Sequence, residues 1–377
     1  MGSNAALDKS TAPQAVPIPA PTRRRFEAAG IDLSGGYPLL PSDFEYLQDA
    51  EAKGDQVHPY SDAGIRADPE KKELFRAAKA INHLTSHVGT EIVGLQLREL
   101  SDKQKDELAL LVAERGVVFF ESRVSLPRNR RLWAGTGASF IHKARMCLAI
   151  LISQPSGQTS LLKQFENLPI VSRFKASIPS RLTDICPSDM VHERHPPGYT
   201  HLHKDAVPDV GGDLLWASGY AAYSKLSPNF RSFLDGKQAV FVSKERYIDR
   251  NAPSSGRIHP VTRTHPIIRV HPVTGWKSLY IAHGWVSHIV GLDKKESDLI
   301  LGYLKDIYEN NVDIQCRFKF TPGTSAIWDN RCTLHTASWD YENASERHGT
   351  RVTTLAEEPY YDEKATSRRQ ALGLEDD

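Results

Sequence analysis

The chain has 377 residues, 40% of them hydrophobic, so it can bury a large core, and one large domain with a tail is expected. Lysine plus arginine (47) balances aspartate plus glutamate (46), a net charge of +1, which argues against nucleic acid or an anionic membrane as partner. Four scattered cysteines without CxxC spacing (Cys147, Cys186, Cys316 and Cys332) exclude a zinc ribbon or disulfide framework and suit a reducing, cytoplasmic setting.

Residues 1–22 are rich in Ala, Pro and Ser, lack a hydrophobic period, and read as a disordered tail. Arg23-Arg24-Arg25 hints at a targeting presequence, which Asp8 and the nearby prolines weaken. Thr90-Glu91-Ile92-Val93-Gly94-Leu95-Gln96-Leu97 reads as a strand, and Ser101 with Gln104 forms a capping box for a helix striped by Leu108, Leu111 and Val112 and ended by Gly116. Val117 to Phe120 reads as a buried strand. The apolar run at residues 146–152 is too short to span a bilayer, so the protein is expected to be soluble. Ser227-Pro228 opens a second helix through Phe230, Phe233 and Leu234, stopped by Gly236. A third runs over about residues 293–308, capped by Asp293 with Glu296, its core side assigned to Leu299, Tyr303 and Ile307. Ile314, Cys316, Phe318 and Phe320 then alternate with polar residues, a half-buried strand leading into a Thr321-Pro322-Gly323 turn. Short strands with peripheral helices predict a mainly β fold, a jelly-roll core flanked by α-helices.

The segment richest in chemistry is Ile327-Trp328-Asp329-Asn330-Arg331-Cys332-Thr333-Leu334-His335, followed by Arg347 and Arg351. A histidine just after a buried strand, with arginines twelve and sixteen positions later (347 − 335, 351 − 335), suits an iron site that binds a dicarboxylate. The bland alternatives are a surface histidine in a turn and salt-bridged surface arginines.

This segment resembles the distal half of the site in the taurine dioxygenase family of Fe(II)/2-oxoglutarate-dependent oxygenases. Further phrases extend the likeness over about residues 80–120 and 186–361: Gly89-Thr90-Glu91-Ile92, Pro196-Pro197-Gly198-Tyr199-Thr200, Gly211-Gly212-Asp213, Trp216-Ala217-Ser218-Gly219, and His265-Pro266-Ile267-Ile268-Arg269. Residues 26–84, notably Ala29-Gly30-Ile31-Asp32-Leu33-Ser34, are similar to the fungal sulfonate-dioxygenase branch. The resemblance implies a double-stranded β-helix, an Fe(2+) ion, 2-oxoglutarate as cosubstrate, dioxygen, and a small-molecule acid, a sulfonate such as taurine, from which sulfite is released. His335 matches the family's distal metal ligand, Arg347 the cosubstrate arginine, and Arg351 the arginine that grips the substrate. The expected division is a tail at 1–22, an N-terminal extension at 23–84, a catalytic domain at 85–361 and a C-terminal tail at 362–377. A homo-oligomer is compatible with all of this.

The upstream half of the site departs from the family. Counting back from Gly211-Gly212-Asp213, the family's His-x-Asp slot falls on Pro187-Ser188-Asp189, which supplies Asp189 as a metal ligand and puts a proline where the other should be. The usual threonine after Gly-Gly-Asp, which helps hold 2-oxoglutarate, is Leu214, and the usual asparagine after Leu279-Tyr280-Ile281 is Ala282. His203-Lys204-Asp205 has the spelling of a ligand pair but falls inside the next strand; His192, His195 and His201 read as polar residues on loop or strand surfaces. Residues 121–185 match the family nowhere; codons allowed for residues 133–141, read with a two-base shift, can spell a family-like Gly-Arg-x-x-Gly-x-x-His phrase. Two alternatives to sulfonate oxidation stand: an impaired member that binds a small anion or a partner, and an active member on a non-sulfonate acid.

Overall fold

The computed structural model describes residues 20–28, 60–120, 191–242, 262–338, 340–341 and 347–374. The strands in these segments are β1 (Ala80–His83), β2 (Thr90–Val93), β3 (Val117–Phe120), β4 (Pro197–Ala206), β5 (Leu214–Ser218), β6 (Gln238–Val242), β7 (Thr262–Pro266), β8 (Ile268–Val270), β9 (Lys277–Leu279), β10 (Val286–Ile289), β11 (Gln315–Phe318), β12 (Ser325–Asp329), β13 (Thr333–Ala337) and β14 (His348–Leu355). Six of them form one sheet in the order β1-β2-β3-β12-β4-β14, while β11-β5-β13 form a smaller one. Two further small sheets, β10-β6-β7 and β8-β9, complete a mainly β architecture with helices outside it.

Strand alternation sorts the side chains. On β12, Ala326 and Trp328 pair with Phe119 and Val117 of β3 and with Leu202 and Thr200 of β4. Those apolar side chains meet Leu214 and Trp216 of β5 and Cys316 of β11, forming the core between the two sheets. Ile327 of β12 turns the other way with Val118, Phe120 and Tyr199, into a second core under the helix Asp102–Arg115. The interior is aromatic: Phe119 lies 5.2 Å from Trp216, which is 5.8 Å edge-on from Trp328. Burying rings of this size contributes roughly 4–6 kcal/mol of gross hydrophobic stabilisation apiece.

Local signals are realised where the sequence placed them. The Ser101 hydroxyl accepts from Gln104 N and the Gln104 side chain from Ser101 N, so two orphan donors at the start of Asp102–Arg115 are satisfied. Glu107 in that helix is buried and accepts from Leu74 N at 2.6 Å, capping the neighbouring helix Lys72–Ala77 from outside. Ser227 caps the helix Pro228–Leu234, and Asp293 with Glu296 forms the second capping box, opening Lys294–Asn310. Ala63 and Leu74, from the expected extension, lie in the second core. No helix of the described residues is long and apolar enough to cross a membrane.

Three expectations need correction. The strand read over residues 90–97 stops at Val93, because Gly94 adopts φ +85° and the chain turns away beside Lys79. The helix Lys294–Asn310 buries Leu301, Leu304, Ile307 and Tyr308, while Leu299 is 76% exposed and Tyr303 44%. Tyr303 instead meets Phe230 edge-on at 5.3 Å, on the outside of the molecule. His192, His195 and His201 are buried, not surface residues: His192 packs 4.6 Å from Trp285, and β4, which carries His201, is an internal strand covered on both faces. Residues 1–19 of the expected tail and the whole of 121–185 lie outside the described residues.

Candidate active site

His335 sits on β13 opposite Trp216 of β5, so it faces the core between the sheets; its ring is 4.8 Å from that of Trp328 and it is buried. Arg351 sits on β14 opposite Leu202 of β4, and Leu202 belongs to the same core, which brings Arg351 to the same interior from the opposing sheet. Arg347 enters from just before β14 and is fully buried. Its Nε donates to the carbonyl oxygen of Gly212 at 3.1 Å. The sequence-predicted histidine and both arginines therefore converge on one space. Asp189 and Pro187 lie outside the described residues.

The loop ahead of β5 is shaped to receive Arg347. Gly212 has φ +71°, and a Cβ there would come within 3.2 Å of Arg347 Nε, so glycine serves both the turn and the approach of the guanidinium. Asp340 accepts from Gly212 N and binds Arg317, which also pairs with Asp213, so this loop is tied to β11 by one salt bridge directly and by a second through Asp340. Burial pushes the Arg347 guanidinium down from its usual range, opposed by Tyr341, Asp213 and Asp340, yet far from low enough to lose its charge. A buried planar cation beside a loop of turned backbone is suited to clamp a carboxylate.

His203 is excluded as a substitute ligand. It pairs with Ser325 of β12, accompanies Ile327 and Tyr199 on the outer face, and its Nδ1 lies 3.0 Å from Ser325 Oγ. The core that holds His335 is on the other side of the sheet.

Sequence reasoning missed a buried ion network behind the site. Asp329 ends β12 and accepts from Arg331 Nε at 2.8 Å, Arg331 Nη2 at 2.6 Å and the Arg331 amide; its other neighbour is His271 Nε2 at 2.8 Å. Arg331 Nη1 reaches Asp62 at 2.8 Å and Glu357 at 3.3 Å, and Glu357 also binds Arg269. Burial would raise the Asp329 carboxyl, but Arg331 and His271 outweigh it and hold it far below the usual range. The Arg331 guanidinium and the Gly64 amide likewise keep Asp62 low against burial. His271, Asp329 and Cys332 are the one group of three such side chains among the described residues whose ligand atoms lie within 4.8 Å. Asp329 is already committed to Arg331 and burial pushes the Cys332 thiol well up, so the group is a hydrogen-bonded brace for the β12–β13 turn and not a metal centre. The phrase Trp328-Asp329-Asn330-Arg331 marked two members; the distant Asp62 and Glu357 carried no local signal.

The site fits an iron ion in ligand type and falls short in number. His335 offers an imidazole in a dry interior, and Asp189 of the matched slot offers a carboxylate, but Pro187 has no donor atom to complete a two-histidine, one-carboxylate set. Leu214 and Ala282, in the other two departing positions, are buried and apolar.

The profile of the family described as taurine catabolism dioxygenase TauD, TfdA matches residues 80–353. An alpha-ketoglutarate-dependent sulfonate dioxygenase of Saccharomyces cerevisiae is 34% identical over 326 residues, covering 82% of this chain and 76% of that one. An alpha-ketoglutarate-dependent dioxygenase of Penicillium expansum is 34% identical over 333 residues, covering 85% and 90%. Among solved structures, a taurine dioxygenase from Burkholderia xenovorans superposes with a TM-score of 0.58 at 26% identity, over 75% of this chain and 92% of that one. The jelly-roll core with flanking helices expected from the sequence is therefore the fold.

Proposed function

The chain belongs to the TauD, TfdA family of taurine catabolism dioxygenases, whose metal and cosubstrate are Fe(II) and 2-oxoglutarate, and from that premise we propose that it oxidises a small sulfonate. The observation that carries this reading is the convergence of His335, Arg347 and Arg351 on one interior from opposing sheets. Iron would be held by Asp189 and His335; when bound, it supplies the activation of dioxygen that couples decarboxylation of 2-oxoglutarate to oxidation of the substrate. Arg347 fixes the far carboxylate of the cosubstrate through charge-assisted hydrogen bonds, and Arg351 orients the sulfonate. Trp216 and Trp328 flank His335 and keep water from the reacting centre. Oxidation at the carbon beside the sulfonate gives a product that releases sulfite. The setting is the cytoplasm, and residues 85–361 form the catalytic domain.

A second reading is favoured by Pro187, Leu214 and Ala282: an impaired member that still binds a small anion. A third reading, an active member on a non-sulfonate acid, is represented by an alpha-ketoglutarate-dependent sulfate ester dioxygenase of Pseudomonas putida, 30% identical over 174 residues, 42% of this chain and 55% of that one.

The test is sulfite release from taurine and other small sulfonates, with 2-oxoglutarate and Fe(II) supplied in excess. His335→Ala abolishes turnover; Arg347→Ala raises the 2-oxoglutarate requirement by about 10-fold or more, since a hydrogen bond to a charged group contributes about 1.5–3 kcal/mol. No sulfite at any iron concentration, with anion binding retained, would select the impaired reading.

A further inference from the structure

Lys204 is a buried lysine on a central strand, and no step above uses it. Along β4, Tyr199 and His203 turn to the outer face, whereas Leu202 joins Trp216 and Trp328 in the core between the sheets. By alternation Lys204 turns inward with Leu202, and its Nζ lies 5.8 Å from the ring centre of Phe320, in that same core. It is 1% exposed.

Its partner on β14 is Gly349, where a Cβ would stand 3.1 Å from Lys204 Cδ, so the missing side chain gives the lysine stem room to cross the strand. The residues two before and two after Gly349 are Arg347 and Arg351. Lys204 is therefore opposite the position midway in sequence between the two arginines already assigned to anions.

A second relation gives the lysine a task. Arg347 bonds the carbonyl of Gly212, two residues before Leu214, the first residue of β5. Leu214 pairs with Phe318, two residues before the Phe320 that Lys204 approaches. Arg347 thus reaches the loop that opens β5, and Lys204 lies over a ring of the same core as Leu214, where a leucine stands in place of the family's threonine hydroxyl. A carboxylate clamped by one cation attracts a second cation that faces the same core.

We propose that Lys204 is a cosubstrate-binding residue, donating from its ammonium to the distal carboxylate of 2-oxoglutarate that Arg347 clamps and replacing the hydroxyl lost at Leu214. The proposal rests on the reading that Arg347 holds 2-oxoglutarate.

The experiment is anaerobic calorimetry on the full chain with saturating Mn(II), comparing 2-oxoglutarate with 2-oxopentanoate, which has the same 2-oxo acid head and no distal carboxylate. Lys204→Met should weaken 2-oxoglutarate about 10-fold or more and leave 2-oxopentanoate unchanged, while Lys204→Arg restores most of the preference. Unchanged 2-oxoglutarate affinity in Lys204→Met, or an equal loss for both ligands, overturns the proposal, the second outcome marking a purely structural lysine. Should the methionine variant fail to fold, Lys204→Gln supplies the same ratio. Arg347→Ala is measured in parallel: if it keeps full 2-oxoglutarate affinity, or the unmodified chain binds none, the underlying reading fails and the proposal with it.

Discussion

At the scale of single residues, the position of His335 depends on the turn that precedes it, and that turn is braced by Arg331. The guanidinium is fully buried among Asp62, Asp329 and Glu357, so each carboxylate offsets the cost of desolvating a cation at the end of β12. Removing one partner leaves buried charge uncompensated. Asp62→Ala is therefore expected to lower stability by about 3–5 kcal/mol, measured as a shift in urea midpoint at constant slope. A shift equivalent to less than about 1 kcal/mol, the range of an exposed pair, would show that Asp62 is not part of the brace. The candidates His335, Arg347 and Arg351 were legible from spacing along the chain: a histidine after a buried strand, and arginines just before and on a strand that returns in the opposing sheet. The brace was not, because its members come from opposite ends of the sequence, Asp62 and Arg331 being 269 positions apart (331 − 62). Lys204 was passed over for a related reason, since only the pairing with Gly349 puts it opposite the position midway between the two arginines.

At the scale of elements, caps and stops were read correctly because their chemistry is local: Ser101 with Gln104, Ser227 before Pro228, and Asp293 with Glu296 each satisfy donors within three residues. Which side of a helix is buried is a different question. Leu299, Tyr303 and Ile307 make an acceptable stripe at four-residue spacing, yet of these the helix turns only Ile307 to the core, with Leu301, Leu304 and Tyr308, and packing against Phe230 gives Tyr303 an outside partner. Strand faces settle what spelling alone could not. His203-Lys204-Asp205 reads like a ligand pair, but alternation along β4 puts His203 on the face away from His335 and Lys204 on the face toward it. Residues 121–185 contributed no legible element, since they share no phrase with the family and no reading of their codons is unique.

At the scale of the whole molecule, the balanced charge makes pH act through buried groups and not through a global field. Burial, then the nearby Arg269, lowers His265 to about 4; its Nε2 lies 2.9 Å from the Glu193 carbonyl oxygen. Burial and Arg331 lower His271 as well, against Asp329. An unfolded histidine takes up its proton near pH 6.5, so below that pH the unfolded chain binds more protons than the folded one and stability falls. Asp62 and Asp329 act lower down: their folded values are depressed, so their contribution persists until the pH drops below the unfolded carboxylate range near 4. Chemical denaturation should show a plateau above about pH 7, a loss on the order of a few kcal/mol between about pH 6.5 and 4, and a steeper loss below that. Equal stability at pH 7.5 and 5 would contradict the lowered proton affinity of buried His265 and His271.

The central claim is that this member of the TauD, TfdA family keeps the distal half of its site and has an iron ligand set one imidazole short at position 187. It is tested most directly by anaerobic titration of Fe(II) into the protein with 2-oxoglutarate, followed by the visible metal-to-ligand charge-transfer band. The account predicts weak iron binding and a faint band for the unmodified chain, a clear gain of both in Pro187→His, and their loss when His335→Ala is added. Tight iron and a strong band in the unmodified chain, unchanged by Pro187→His, would contradict it and require another residue to hold the metal.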